Sequence, residues 1–458
     1  MIHGKIVNYS INISIYMAIL GVGYGPFSVW VAIAMLCVLY LFLVLKFRNM
    51  VILFPFYMYP FMFIIRARNP ENLLLAILPE IFVLISMVFH YTKINFNEKI
   101  GSYSLLLFFY AVITSLIIMF NIGNIYYFPL MFRQYIIPVL FTIYILDVSS
   151  KRSLLPFYAL KISFNSFAIV AALSILNILG IFRIDASMEA LYPVLNYSLQ
   201  VSSEQAGRSL FGSDIFLRLN LFCGGALGSS AAIFIALGLS PYLSKKLEMN
   251  SLHRLASVFL LAAGAMTFSS SIIIPIVLFI FLFFGFKNSW FINVFIFLFC
   301  MLILGNLTLF VSDSIFNYVY STTILGFSSY LLSIDLWTFL FGSGPRFTSS
   351  GFEFVPNNFI IDVGVLRVFI ETGALNFIIF SLFIISILRK GFFVGGKLDA
   401  QGGRVFFFIF LVFLLMVHAN MTAIPPFFPL FSVVVAGIVR AYYYKIEKRA
   451  FPLSLSSE

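Results

Sequence analysis

Phe27-Ser-Val-Trp-Val-Ala-Ile-Ala-Met-Leu-Cys-Val-Leu-Tyr-Leu-Phe-Leu-Val-Leu45 runs for nineteen residues without a charge and is closed by Lys46 and Arg48. Wound as a helix it would extend about 28 Å, which matches the hydrocarbon core of a bilayer. The rest of the chain is built the same way. Of its 458 residues 62% are hydrophobic and only 10% are charged, and the mean hydropathy is +1.06. A soluble domain carries about 25% charged residues, so a globular protein in water is excluded. Disorder needs low hydrophobicity and is excluded too. Strands of an outer-membrane barrel would be about 10 residues long and alternating, and that pattern is not seen. The expected class is an all-α, polytopic integral membrane protein.

The apolar runs predict fourteen spans, over 6–24, 27–45, 50–65, 72–91, 102–121, 130–148, 155–181, 217–239, 252–268, 271–286, 290–311, 364–388, 405–420 and 427–444. The pair within 252–286 also reads as one span plus a re-entrant piece. Pro425, Pro426 and Pro429 interrupt the helix near the end of the chain. The first run lacks a small-residue cleavage site and reads as a retained span rather than a signal peptide. Cys37, Cys223 and Cys300 are scattered through apolar runs, a set that predicts neither a disulfide framework nor a zinc site. No internal repeat is evident, so residues 1–458 read as a single membrane domain.

Basic residues orient this map. With the N-terminus inside, 20 of the 28 Lys and Arg lie on the cytoplasmic face, as the positive-inside rule requires, and both termini are cytoplasmic. Six acidic residues share that face, which therefore carries +14. The other eight basic and eleven acidic residues carry −3, in keeping with the net +11. The pI of about 9.4 thus reflects topology rather than nucleic-acid binding. All 13 lysines fall inside. The outer basic residues are all arginine: Arg66, Arg68, Arg133, Arg183, Arg208, Arg218, Arg346 and Arg367. A guanidinium is a planar fork that takes phosphate oxygens two at a time, whereas an ammonium is a hydrated point charge. Arginine-only charge on the outer face points to a diphosphate ligand, with structural ion pairs as the alternative.

Two outer segments, 182–216 and 312–363, exceed the length of simple connections. The second contains Tyr330, Leu331, Leu332, Trp337 and Phe339, and its piece 328–341 is expected to lie as an amphipathic helix at the outer interface. The same segment leads into the richest run of candidate chemistry. Gly342-Ser-Gly344 permits a tight turn and is followed by Arg346. Glu353, Asn357, Asn358 and Asp362 precede the next span, and Arg367 and Glu371 share one face of it at a spacing of four. Ionisable groups within a span are functional candidates. Arg367 would hold a phosphate with Glu371 holding its guanidinium, or the two would only satisfy each other. Arg218, near Asn220 and a small-residue run through Ser230, opens another span. Arg133, beside Gln134 and Tyr135, either reaches the same cavity or snorkels to the interface. Glu80, after Pro79, falls in mid-span and needs a partner. His418 is the one histidine near the outer end of a span, as a candidate base or a satisfied helix-end group. No two acidic residues lie within two positions of each other, and H-E-x-x-H, G-x-S-x-G and P-loop signatures are missing. A metal-dependent glycosyltransferase, a serine hydrolase and an ATPase all lose support.

The pattern resembles the O-antigen polymerase and O-antigen ligase superfamily of bacterial inner membranes. Four features carry the resemblance: Arg133-Gln-Tyr135 at a span entrance, Arg218 opening a small-residue-rich span, the serine-rich join Thr267-Phe-Ser-Ser-Ser271, and the passage from Gly342-Ser-Gly344 to Glu371-Thr-Gly373. Relatives often carry an arginine in the serine-rich join, where Ser270 and Ser271 stand here. Ligases place a histidine near the end of the large loop, where Asn357, Asn358 and Asp362 stand here, and this favours the polymerase branch.

The resemblance implies a GT-C-type membrane enzyme with two larger periplasmic loops. It would polymerise repeat units carried on undecaprenyl diphosphate, without a metal or other cofactor. Its partners would be that lipid-linked oligosaccharide, membrane lipids and a chain-length regulator. It implies Arg133, Arg218, Arg346 and Arg367 on the diphosphate, Asp362 as general base with Glu353 or His418 behind it, and Glu371 in support. The alternatives are a ligase acting on lipid A core and a lipid-linked oligosaccharide flippase. Unequal loops and the missing repeat count against the flippase.

Overall fold

The computed structural model describes residues 11–21, 28–46, 48–61, 73–91, 101–121, 132–152, 154–178, 255–256, 259–260, 263, 326–342, 364–395, 403–415 and 427–450. Every element among them is helical and no strand occurs. The helices are α1 (Ile11–Gly21), α2 (Val29–Lys46), α3 (Arg48–Met58), α4 (Leu73–Tyr91), α5 (Gly101–Asn121), α6 (Ile137–Lys151), α7 (Leu155–Ile178), α8 (Gly326–Ser333), α9 (Leu336–Phe341), α10 (Gly364–Gly395), α11 (Gly403–Leu415) and α12 (Phe427–Ala450). A 3-10 turn, Tyr59–Phe61, follows α3, and a π-helical turn, Phe132–Ile136, leads into α6.

Ten of the expected runs coincide with a helix, and eight of these helices start within two residues of the expected point. The runs at 217–239, 271–286 and 290–311 lie outside the described residues, as does all but a few residues of 252–268. The first outer segment, 182–216, lies outside them too. Charge explains one boundary difference. The apolar count stops at 444, but Lys445, Glu447, Lys448 and Arg449 are good helix formers and α12 continues to Ala450. The single helix expected over 328–341 is two helices. Asp335 breaks it by taking an extended conformation, and its carboxylate accepts the Thr338 backbone N–H at 2.8 Å to cap α9.

Leu155–Leu173 and Val368–Val394 are long and apolar enough to cross a membrane. The outward faces support the same environment. Trp30, Val38, Leu41, Phe42 and Leu45 of α2 are exposed, Leu45 to 77%. On α10 the exposed residues Leu375, Ile378, Leu382 and Ile385 recur every three or four positions, so this face is apolar until Arg389. A protein in water does not leave continuous apolar stripes uncovered; in lipid they are the compatible surface.

The chain divides into two compact units, residues 1–94 with 157–272, and residues 95–156 with 273–458. In the first, Tyr40 of α2 stacks on Phe82 of α4 at 4.5 Å between centroids. Its hydroxyl donates to the Phe82 carbonyl at 2.9 Å. Tyr16 of α1 donates to the Ile162 carbonyl of α7 at 3.2 Å, and Ser166 donates to the Phe56 carbonyl at 3.2 Å. Tyr57 donates to Asn12. Where lipid offers no hydrogen bonds, hydroxyls of this kind must find partners on neighbouring helices. Glu80, 2% exposed, is buried in α4.

In the second unit α12 packs on α6, α10 and α11. Thr142 and Ser432 share a hydrogen bond of 2.8 Å, and Phe141 meets Phe428 edge to face. Glycines allow the close approach. Gly437 of α12 lies against the Phe406 ring of α11, and a Cβ there would sit 2.5 Å from three ring carbons. Gly437→Ala must therefore displace that ring, and the expected loss is about 1–3 kcal/mol. Thermal unfolding of the detergent-solubilised protein checks it, with a midpoint below that of the unsubstituted chain.

Candidate functional site

Residues 364–372 begin α10 as a regular helix, and Gly373 then breaks it with φ 78° and ψ 172°. Only glycine adopts this combination without strain. The segment resumes at Ala374 and continues to Gly395. Such a break disturbs the regular hydrogen-bond pattern of the helix around it. One carbonyl just before it is approached from α8. The Tyr330 hydroxyl of α8 reaches the Ile370 carbonyl at 3.5 Å.

Gly342, which ends α9, also has positive φ, at 83°. Its N–H closes α9 by donating to the Thr338 carbonyl at 2.8 Å. A Cβ on Gly342 would lie 2.5 Å from the Glu371 carbonyl oxygen and 2.6 Å from the Gly373 nitrogen. A Cβ on Gly373 would collide with the Leu340 carbonyl and lie 2.5 Å from the Gly342 nitrogen. The two glycines thus stand backbone to backbone. Phe327, Phe339 and Phe377 surround Phe369 at 5.5–5.7 Å between centroids and seal this junction.

The junction holds Glu371 at 2% exposure and Thr372 likewise at 2%. Thr372 donates to the Val368 carbonyl at 2.6 Å. Helix α5 packs against α10 here. Asn376, beyond the break and fully buried, donates from Nδ2 to the Thr114 hydroxyl at 2.6 Å. Tyr110, one turn before Thr114, sets its ring 5.9 Å from that of Phe380 in α10. On its neighbouring position Ala111, α5 packs against Tyr135 and Ile136 of the π-helical turn. An inserted residue of this kind is often found at functional sites.

The expected site residues divide accordingly. Glu371 is described in full. Arg367 is placed by its backbone one turn before Glu371 in α10, and Arg133 by its backbone in the π-helical turn. Arg218, Arg346, Glu353, Asp362 and His418 lie outside the described residues, as does the join 267–271. Two separated motifs, Arg133-Gln-Tyr135 and Gly342 with Glu371-Thr-Gly373, meet the same helix, α5, or each other. Tyr110, Thr114 and Asn376 were not among the expected residues. Their signal is a polar pair four apart, Tyr110 and Thr114, within an otherwise apolar span, and an asparagine five residues after a buried glutamate. Among the described residues no group of three or more His, Cys, Asp or Glu is disposed to hold a metal. Comparison with known proteins yields no family model, no curated protein and no solved structure that matches this chain.

Either glycine is expected to resist substitution. Gly373→Ala and Gly342→Ala each combine a backbone conformation that costs about 1–3 kcal/mol with a backbone collision. Faster proteolytic cleavage around 326–342 in either variant, relative to the unsubstituted protein, is the readout. A second expectation concerns acidity. The Thr338 hydroxyl and backbone hold the exposed Asp335 carboxyl below its usual value. A depressed carboxylate stabilises the fold above its unfolded value and loses that contribution as pH falls through the folded one. Amide exchange in 336–341 should therefore accelerate below about pH 3–4, and Asp335→Ala should exchange fast at every pH.

Proposed function

We propose that this chain is a metal-independent glycosyltransferase that polymerises repeat units borne on a polyprenyl diphosphate, with about fourteen spans in a GT-C-type arrangement. It works at the periplasmic face of a bacterial inner membrane. The observation that carries the reading is the junction of Gly342 with the Glu371-Thr372-Gly373 break, because it joins the interior of the long segment 312–363 to a buried carboxyl one turn from an arginine. Those two stretches are also the ones in which the resemblance to O-antigen polymerases is densest.

In this reaction a sugar hydroxyl of one lipid-linked unit attacks the anomeric carbon of the glycan on another. The bond from that carbon to the diphosphate oxygen breaks, and the glycosidic bond forms. The donor is already activated, so the work left to the protein is orientation and stabilisation of the negative charge that develops on the leaving diphosphate. Arg133, Arg218, Arg346 and Arg367 are assigned to that charge. Asp362 takes the hydroxyl proton, with Glu353 and His418 as the other candidates. Glu371 orients the Arg367 guanidinium. A chain-length regulator is the expected protein partner.

Reconstitution in liposomes with a purified undecaprenyl-diphosphate repeat unit tests this. The expected result is a ladder of polymer that persists with chelator present and is lost or shortened in Arg218→Ala and Arg367→Ala. Full ladders from both variants would remove the arginine assignment. In a deletion strain, core carrying a single repeat marks a polymerase, whereas bare core marks the ligase.

A further inference from the structure

The exposed stripe of α10 ends on a cation. Ile378, Leu382 and Ile385 are 52–59% exposed, and Arg389, one turn further along the same face, is exposed as well. Phe392, 62% exposed, follows it. A guanidinium is costly in hydrocarbon and is tolerated where its head reaches the polar layer. Arg389 therefore marks the level at which this face of α10 leaves the apolar layer.

The next residue turns toward a neighbouring helix. Lys390 Nζ lies 5.1 Å from the centre of the Tyr442 ring of α12 and donates to the Ser386 hydroxyl at 3.4 Å. Phe393 braces the same ring at 5.3 Å between centroids. An ammonium over an aromatic face is held in place and keeps its charge. Glycines draw α11 and α12 to this end of α10. Gly391 stands against the Phe407 ring of α11. Gly403, at the start of α11, stands against Val394, and a Cβ on it would lie 3.5 Å from that of Ala441 in α12. Arg440 precedes that alanine and is half-buried. Residues 389–404 and 440–450 together hold eight Lys or Arg and two acidic residues, so the junction is strongly cationic.

We propose that this junction binds the headgroup of an anionic phospholipid, with Arg389 and Lys390 on its phosphate and the acyl chains laid along Leu382 and Ile385. The arginine fork takes two phosphate oxygens, and the ammonium adds a point charge that Tyr442 keeps in place. Cations alone would suit any phosphate. The exposed apolar stripe that begins one turn away at Ile385 selects a phosphate that carries hydrocarbon chains. Basic clefts between membrane helices bind anionic headgroups in this way. The inference needs a membrane-embedded chain and does not draw on the transfer reaction.

Native mass spectrometry of the full-length protein, released from detergent and titrated with dioleoyl phosphatidylglycerol, tests it. Dioleoyl phosphatidylcholine is the neutral comparison and should bind more weakly. Arg389→Gln and Lys390→Gln should each weaken phosphatidylglycerol binding about 5-fold, the worth of one cation at a membrane surface, and leave phosphatidylcholine unchanged. Tyr442→Leu keeps every charge but releases Lys390 and should weaken binding too, whereas Tyr442→Phe keeps the ring and should not. Lys46→Gln removes an exposed cation from the end of α2 and should leave the affinity as it was. Equal affinity for the two lipids, or an equal loss in Lys46→Gln and Arg389→Gln, would overturn the inference by reducing it to general surface charge. Unaltered binding in both Arg389→Gln and Lys390→Gln would overturn it as well, and displacement of the lipid by inorganic phosphate would make the occupant a free anion instead.

Discussion

Two glycines placed backbone to backbone hold the second unit in its form. Gly373 interrupts α10 and Gly342 ends α9, and neither can carry a side chain, because each would drive a methyl group into the other's main chain. The consequence is local and strict. The α8–α9 segment is brought against α10 at the position where Gly373 kinks that helix. In a bilayer, freed carbonyls of this kind must be met by protein. The Tyr330 hydroxyl meets one of them, and Phe327, Phe339 and Phe377 pack around Phe369 beside it.

Around that junction α5 acts as a shared wall. One position, Ala111, supports the π-helical turn that carries Arg133, and on the same helix Thr114 accepts from Asn376 just past the break in α10. Residues more than two hundred positions apart in the chain are in this way referred to one rigid element. Small residues elsewhere serve a plainer purpose. Gly391, Gly403 and Gly437 let α10, α11 and α12 approach until aromatic and aliphatic side chains of the neighbour fill the space.

Helix positions were largely legible in the sequence because the signal is additive. Each apolar run sums about twenty residues of one kind, and starts such as 364 and 427 emerge to the residue. Ends were less legible where polar helix formers continue past the apolar stretch, as in α12. Local breaks depend on single residues. Asp335 split an expected helix because a carboxylate that caps one turn and a side chain in mid-helix look alike in a pattern. Glu371-Thr-Gly373 stood out as a motif, since a carboxylate in an apolar span is costly wherever it lies. Its partner helix did not stand out. Which of a dozen apolar helices supplies Tyr110 and Thr114 is decided by packing between distant segments, and an isolated hydroxyl in a span carries no address.

The short helices α8 and α9 show one side to the break and the other to the surroundings. Leu332 is 90% exposed and Trp337 68%. Because Gly342 at the end of this pair stands against Gly373, a load on the exposed face of α8 and α9 is passed by backbone contact to the kinked helix, with no side chain between to absorb it.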